Sequence, residues 1–321
     1  MLWIKFLWLA VGFVVLILGA DWLVNGASGL AKRLNVPDLV IGLTVVAFGT
    51  SAPELVVNLM AAIEGSSEIA LTNILGSNII NVLVILGLSA AIYPIASQRS
   101  ARRFDIPLSI LAGVAVLIMG TECFGLCGDA ATAQLSRFDG VILLLVFALF
   151  MGHSIKLARC GNNQVETFKP MPVWKAVLLM VVGIGGLVLG GELIVRNAVD
   201  IAAAWGVSQA VIGVTVVALG TSLPELATSA VAAMKKNTDL AIGNVIGSNI
   251  FNVFFVLGVS AVIRPLPAYP NLIVDASVAA GCCALVWLFV GPGKQHRVQR
   301  WQGGVLLLCY GAYLTWLLLT L

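Results

Sequence analysis

Residues 41–94 recur as residues 212–265, at a constant offset of 171 and without a gap. About half of the paired positions are identical. An internal repeat of this length constrains the fold before any local pattern does, because both copies must build the same unit. Each copy carries two short polar runs. Gly49-Thr50-Ser51-Ala52-Pro53-Glu54 is matched by Gly220-Thr221-Ser222-Leu223-Pro224-Glu225, and Gly76-Ser77-Asn78-Ile79-Ile80-Asn81 by Gly247-Ser248-Asn249-Ile250-Phe251-Asn252.

These runs interrupt apolar segments. The chain is 60% hydrophobic and 10% charged, whereas soluble domains carry about 25% charged residues. Such a chain cannot cover itself in water, so most of it is predicted to cross a bilayer in spans of about 20 residues. Ten spans can be drawn: 3–31, 38–64, 68–93, 105–121 and 138–158, then 172–205, 209–235, 239–264, 270–291 and 300–320. The first apolar run is too long for a signal-peptide core and is kept as a span. Residues 1–158 form one half, 159–171 a polar linker, and 172–321 the other.

The basic residues set the orientation. Fourteen fall on one side: Lys32, Arg33, Arg99, Arg102, Arg103, Lys156, Arg159, Lys169, Lys175, Lys235, Lys236, Lys294, Arg297 and Arg300. Lys5, Arg137 and Arg264 fall on the other, and Arg196 lies within a span. Basic loops face the cytoplasm, so both termini are predicted outside, in a multi-pass protein of the cell membrane. Each half has an odd number of spans, so the second copy crosses in the opposite sense. The predicted fold is therefore all-α and polytopic, with ten transmembrane helices in two inverted five-helix repeats.

A glutamate at membrane depth marks an ion or substrate path. Gly and Pro beside it predict a broken helix whose freed carbonyls face a polar cavity. The pseudo-symmetry brings Glu54 and Glu225 together near the midplane. Two carboxylates in a dry site repel one another, and a cation between them removes that repulsion. Thr50, Ser51, Thr221 and Ser222 supply hydroxyls and kinked-backbone carbonyls, while Ser77, Asn81, Ser248 and Asn252 supply neutral oxygens from the next span. Neither motif contains His, Cys or Met. An all-oxygen set suits Ca²⁺ or Na⁺, and Ca²⁺ takes about 6–8 such ligands. Asn78 and Asn249 suit either ligand support or interhelical hydrogen bonds.

Other features have plainer readings. Gly76, Gly87, Gly247 and Gly258 are expected to pack helices. Asp21 and Glu192 are also 171 apart, and Arg196, four residues after Glu192, is placed to pair with it on one helical face. A structural role is expected there, with gating as the other possibility. Cys282, Cys283 and Cys309 read as core packing, while Cys123 and Cys127 flank a short loop and can pair. His153 and His296 read as ordinary residues on the cytoplasmic side.

The doubled motif GTSAPE…GSNIIN and GTSLPE…GSNIFN resembles the two alpha-repeats of the sodium/calcium exchanger family, within the cation/calcium antiporter superfamily. The resemblance covers the whole chain. It implies that spans two, three, seven and eight build a diamond of four cation sites, across which spans one and six slide. It also implies that Glu54 and Glu225 are the central acidic ligands and that Asn81 and Asn252 complete the centre. The side chains of Thr50, Ser51, Ser77, Thr221, Ser222 and Ser248, with the carbonyls of Ala47 and Ala218, would line the sodium sites. Several relatives have an aspartate at one of the positions held here by Asn81 and Asn252. Two amides argue against potassium co-transport.

The expected function is a secondary antiporter that exports Ca²⁺ in exchange for Na⁺ by alternating access. Exchange of Ca²⁺, or another divalent cation, for protons at the same glutamates is the alternative, and a cation channel is a more distant one. No nucleophile–base pair suggests an enzyme. The lipid bilayer and the transported ions are the expected partners, with no cofactor, no nucleic acid and no obligatory protein partner.

Overall fold

The computed structural model describes residues 2–64, 67–121, 133–160, 171–205, 218–291 and 296–320. Most of the expected linker, the start of the expected span 209–235 and the Cys123–Cys127 pair lie outside the described residues. The chain folds into helices α1 (Leu2–Leu34), α2 (Asp38–Thr50), α3 (Ala52–Glu64), α4 (Ala70–Ile92), α5 (Ala101–Thr121) and α6 (Arg137–Cys160). These are followed by α7 (Val173–Ala204), α8 (Ala218–Thr221), α9 (Leu223–Met234), α10 (Thr238–Ile263), α11 (Leu272–Val290) and α12 (Arg300–Leu319). Eight of the described helices are long and apolar enough to cross a membrane, and α2 and α3 together form one further bent pair.

The two helices that carry the second polar motif lie at the centre. In α4 and α10, 78% of the most apolar stretch is buried within the protein, against 17% in α6 and 11% in α12. The reason lies in composition. Gly, Ser and Asn along α4 and α10 allow close approach and supply hydrogen bonds that hydrocarbon cannot. The outer helices instead expose Leu145, Leu149 and Leu308, which lipid solvates without cost. Exposed Trp3, Trp174, Trp205 and Trp301 lie near helix ends, where amphipathic rings sit at a membrane interface.

Helices α1 and α7 have 33 and 32 residues. At 1.5 Å per residue each spans close to 50 Å, more than the roughly 30 Å of hydrocarbon, so they cross at a tilt. They pack on one another through glycines. A Cβ at Gly183 would lie 2.7 Å from Leu23 N and 2.8 Å from Gly19 O, so only glycine permits this approach. Lys5 pairs with Asp200 across the same two helices.

Two short ribbons tie the halves together. Strand β1 (Ile95–Ala96) pairs antiparallel with β4 (Arg297–Val298), and β2 (Gln134–Leu135) with β3 (Leu266–Pro267). Each ribbon joins two loops that the basic-residue count places on one side of the membrane.

Two expectations change. Gly87, Gly247 and Gly258 pack closely, but a Cβ at Gly76 would meet nothing within 4 Å. The repeat conserves its glycine where only one copy has a close neighbour. Glu192 and Arg196 are also not an ion pair; among the described residues the pairs are Lys5–Asp200 and Lys235–Asp21. Asp21 finds its cation on the turn after α9, a partner that spacing along one helix cannot reveal.

Candidate cation site

The first motif breaks a helix in both copies. Helices α2 and α3 meet at 49°, with Ser51 at φ −85°, ψ 9°. Ser222 sits between α8 and α9 at φ −89°, ψ 5°. Pro53 and Pro224 follow two residues later and lack the N–H that would satisfy the carbonyl four residues back. Glu54 and Glu225 fall in the first turns of α3 and α9, where the unpaired N–H groups of a helix start favour negative charge. The second motif widens its helix. Wide π turns run over Asn81–Leu86 in α4 and Phe251–Leu257 in α10, a local geometry found frequently at functional sites.

Four broken or widened segments thus converge. Glu54 and Glu225 are each 1% exposed and close enough for their charges to interact. The Ser51 hydroxyl donates to Glu225 Oε1 at 2.9 Å, crossing from one half to the other. Ser77 donates to Glu54 Oε1 at 3.4 Å, and Ser222 Oγ lies 3.2 Å from Ser77 Oγ. Thr221 and Ser248 lie beside Glu54 and Glu225 respectively, within electrostatic reach of the carboxylates but outside hydrogen-bonding geometry. Thr50 Oγ1 is 3.3 Å from Ala47 O and 3.1 Å from Asn244 Oδ1; its one proton serves one of them at a time.

The amides are arranged reciprocally. Asn81 Nδ2 donates to Asn249 Oδ1 at 3.0 Å, and Asn252 Nδ2 donates to Asn78 Oδ1 at 3.1 Å. Asn78 Nδ2 donates to the Asn249 carbonyl and Asn249 Nδ2 to the Asn78 carbonyl, each at 3.3 Å. These bonds give Asn78 and Asn249 the interhelical role, and they orient the other two amides. With both nitrogens occupied, Asn81 Oδ1 and Asn252 Oδ1 are buried and unpartnered, as are Glu54 Oε2 and Glu225 Oε2. Orphaned buried acceptors are costly. Four of them, on four residues of one doubled motif, form a set of oxygens suited to a hard cation.

Of the remaining candidates, the Ala47 carbonyl already accepts from Ser51 N at 3.0 Å. Ala218 opens the short helix α8. Sequence reasoning missed Asn244 and Asn58. Asn244 donates to Glu225 O at 3.3 Å and to Ser229 Oγ at 2.9 Å, and Asn58 donates to Glu54 O at 2.7 Å. Both brace the backbone that carries a glutamate. The signal for Asn244 was present, since Asn73 lies 171 residues before it and both amides interrupt apolar helices.

The comparisons with known proteins bear on the family and the fold. The family described as sodium/calcium exchanger protein matches residues 4–156 and 175–319. The sodium/calcium exchanger MaX1 of Methanosarcina acetivorans is 32% identical over 346 residues, covering 98% of both chains. The inner membrane protein YrbG of Escherichia coli is 36% identical over 272 residues, covering 80% of this chain and 79% of its own. Among solved structures, the sodium-calcium exchanger NCX_Mj soaked with Na⁺ and Sr²⁺ superimposes with a TM-score of 0.84 at 32% identity, covering 98% of this chain and 99% of that one.

Proposed function

Because this multi-pass membrane chain belongs to the sodium/calcium exchanger family, we propose that it is a secondary antiporter that carries Ca²⁺ out of the cell in exchange for Na⁺ moving in. Glu54 and Glu225 are the anionic ligands, and Asn81 and Asn252 complete the central site. The hydroxyls of Thr50, Ser51, Ser77, Thr221, Ser222 and Ser248, with the carbonyls of Ala47 and Ala218, serve the flanking sodium sites. The single observation that carries this reading is the set of four buried, unpartnered oxygens on Glu54, Glu225, Asn81 and Asn252.

Charge arithmetic makes the exchange coherent. Two carboxylates neutralise one Ca²⁺, and Na⁺ ions compete for the same oxygens, so the two cargoes bind in alternation. An empty site leaves two unpaired anions in a low-dielectric interior, which is costly. The empty carrier therefore changes sides rarely, and flux in one direction stays coupled to flux in the other.

The architecture that goes with this mechanism is ten spans in two inverted halves, 1–158 and 172–321, joined by a cytoplasmic linker at 159–171. The reciprocal amide bonds support it, because the offset of 171 turns the Asn81–Asn249 bond into the Asn252–Asn78 bond, and the two ribbons support it because β1 and β3 stand at the same offset and each pairs with a strand of the other half. The basic-residue bias supports placing both termini outside.

Purified protein in sealed vesicles tests the reading. An inward Ca²⁺ flux driven by an outward Na⁺ gradient is expected, and Glu54→Gln or Glu225→Gln is expected to abolish it. Normal flux in either variant refutes the site. Flux driven by a pH gradient without Na⁺ replaces sodium by protons, and flux with no obligatory counter-ion replaces the carrier by a channel.

A further inference from the structure

A cavity of about 350 Å³ lies between α7 and the helix breaks that carry the glutamates. One wall includes Pro53 and Pro224, which immediately precede Glu54 and Glu225, and Thr221, four residues before Glu225. The facing wall carries Glu192 and Arg196, one turn apart on α7. Both are exposed, and among the described residues they are the cavity's only charged side chains. Neither belongs to an ion pair among the described residues. Arg196 interacts electrostatically with Asp200, one turn further along α7, while Glu192 has no ion-pair partner among the described residues; a charge in a span calls for water, which makes this cavity the candidate aqueous path to the site.

The repeat shows what is unusual about this end of the molecule. Glu192 and Arg196 correspond, at the offset of 171, to Asp21 and Asn25 on α1. That second pair is engaged. Lys235 Nζ is 2.6 Å from Asp21 Oδ1 and donates to Asn25 Oδ1 at 2.6 Å. Asn237, two residues on, donates to Ser28 of α1 at 2.8 Å. One end of the carrier is thus fastened, its acid neutralised by a partner from another helix. At the other end the acid faces the cavity, with a like-placed cation on its own helix.

We propose that Glu192 and Arg196 form a charge filter at the mouth of this path. Glu192 raises the local concentration of Ca²⁺ relative to Na⁺, and Arg196 sets how far. The proposal rests on the cation-exchange reading above. Its physics is that the local concentration of an ion depends exponentially on its charge times the local potential, so each fixed charge counts twice for a divalent ion. One unit charge about 6 Å from the ion path in a water-like dielectric changes the local Na⁺ concentration about threefold and that of Ca²⁺ about tenfold. At physiological salt, with a Debye length of about 8 Å, these factors fall to about twofold and threefold.

Full-length protein in sealed vesicles of each orientation tests the filter. Half-saturation for Ca²⁺ and for Na⁺ is measured for Glu192→Gln, Arg196→Gln and the unaltered chain. In one vesicle orientation only, Glu192→Gln is expected to raise the Ca²⁺ half-saturation about threefold at physiological salt, and toward tenfold near 0.01 M salt, where screening is weak. Na⁺ half-saturation shifts by roughly the square root of those factors. Arg196→Gln shifts both in the opposite direction. Equal shifts for the two ions, no dependence on salt, a shift in both orientations, or a change confined to the maximal rate overturns the filter. Absence of Na⁺-driven Ca²⁺ flux in the unaltered chain overturns the exchanger reading instead, so the two failures are distinguishable.

Discussion

Asn249→Ala is a discriminating perturbation because it leaves every proposed ligand in place. Asn249 Oδ1 accepts the 3.0 Å bond from Asn81 Nδ2. That bond holds the Asn81 amide with its nitrogen turned away and Oδ1 left without a protein partner. Truncation leaves a buried NH₂ with no acceptor, at a cost of about 1–3 kcal/mol. Rotating the amide recovers part of that cost by turning NH₂ toward the glutamates, where it displaces an oxygen ligand. If the binding-competent orientation loses about 1.4 kcal/mol, Ca²⁺ affinity falls about tenfold. Thermal stability should fall only by the part of that cost that the rotation does not recover. The Asn78 side chain keeps its bond to the Asn249 carbonyl. Calorimetric Ca²⁺ titration of the purified variant, with thermal unfolding alongside, measures both quantities. Asn78→Ala should act equally through Asn252. Unaltered affinity in Asn249→Ala, together with a large loss in Asn81→Ala, would refute the claim that this reciprocal network orients the ligands.

Two further outcomes follow from the packing. Lys235→Met and Asp21→Asn should each lower thermal stability by about 0.5 kcal/mol, as for a partly exposed pair, and the double variant should cost no more than either single one; additive losses would show that the 2.6 Å pair is not coupled. Gly183→Ala places a Cβ 2.7 Å from backbone atoms of α1, and forcing the helices apart costs roughly 1–3 kcal/mol. Monodisperse yield in detergent should fall for Gly183→Ala and hold for Gly76→Ala, whose Cβ meets nothing within 4 Å. Equal yields would refute the close α1–α7 contact.

Much of the candidate site was legible in the chain because its chemistry is local and doubled. Glu54 and Glu225 sit in greasy segments, beside a proline and hydroxyls, 171 residues apart. The break at Ser51 and the placement of Glu54 in the first turn of the next helix follow from the Pro53 two residues on. Asn58 was not legible, because its repeat partner is Ser229 and nothing in the spacing says that its amide caps a carbonyl. The bond of Asp21 to Lys235 escaped for a related reason. Its repeat counterpart offers an acid and a base on one helical turn, and that local pairing is the one periodicity suggests.

The sequence alone determined that the chain crosses a membrane, that it carries two copies of one helix-breaking acidic unit, and which oxygens those units contain. These properties belong to single segments, where hydropathy and backbone sterics act over a few residues. The direction each amide turns, which copy's glycine meets a neighbour, and which end is fastened were decided only by the tertiary structure. They depend on distances between helices far apart in the chain, and two near-identical motifs acquire different surroundings once the pieces packed around them differ.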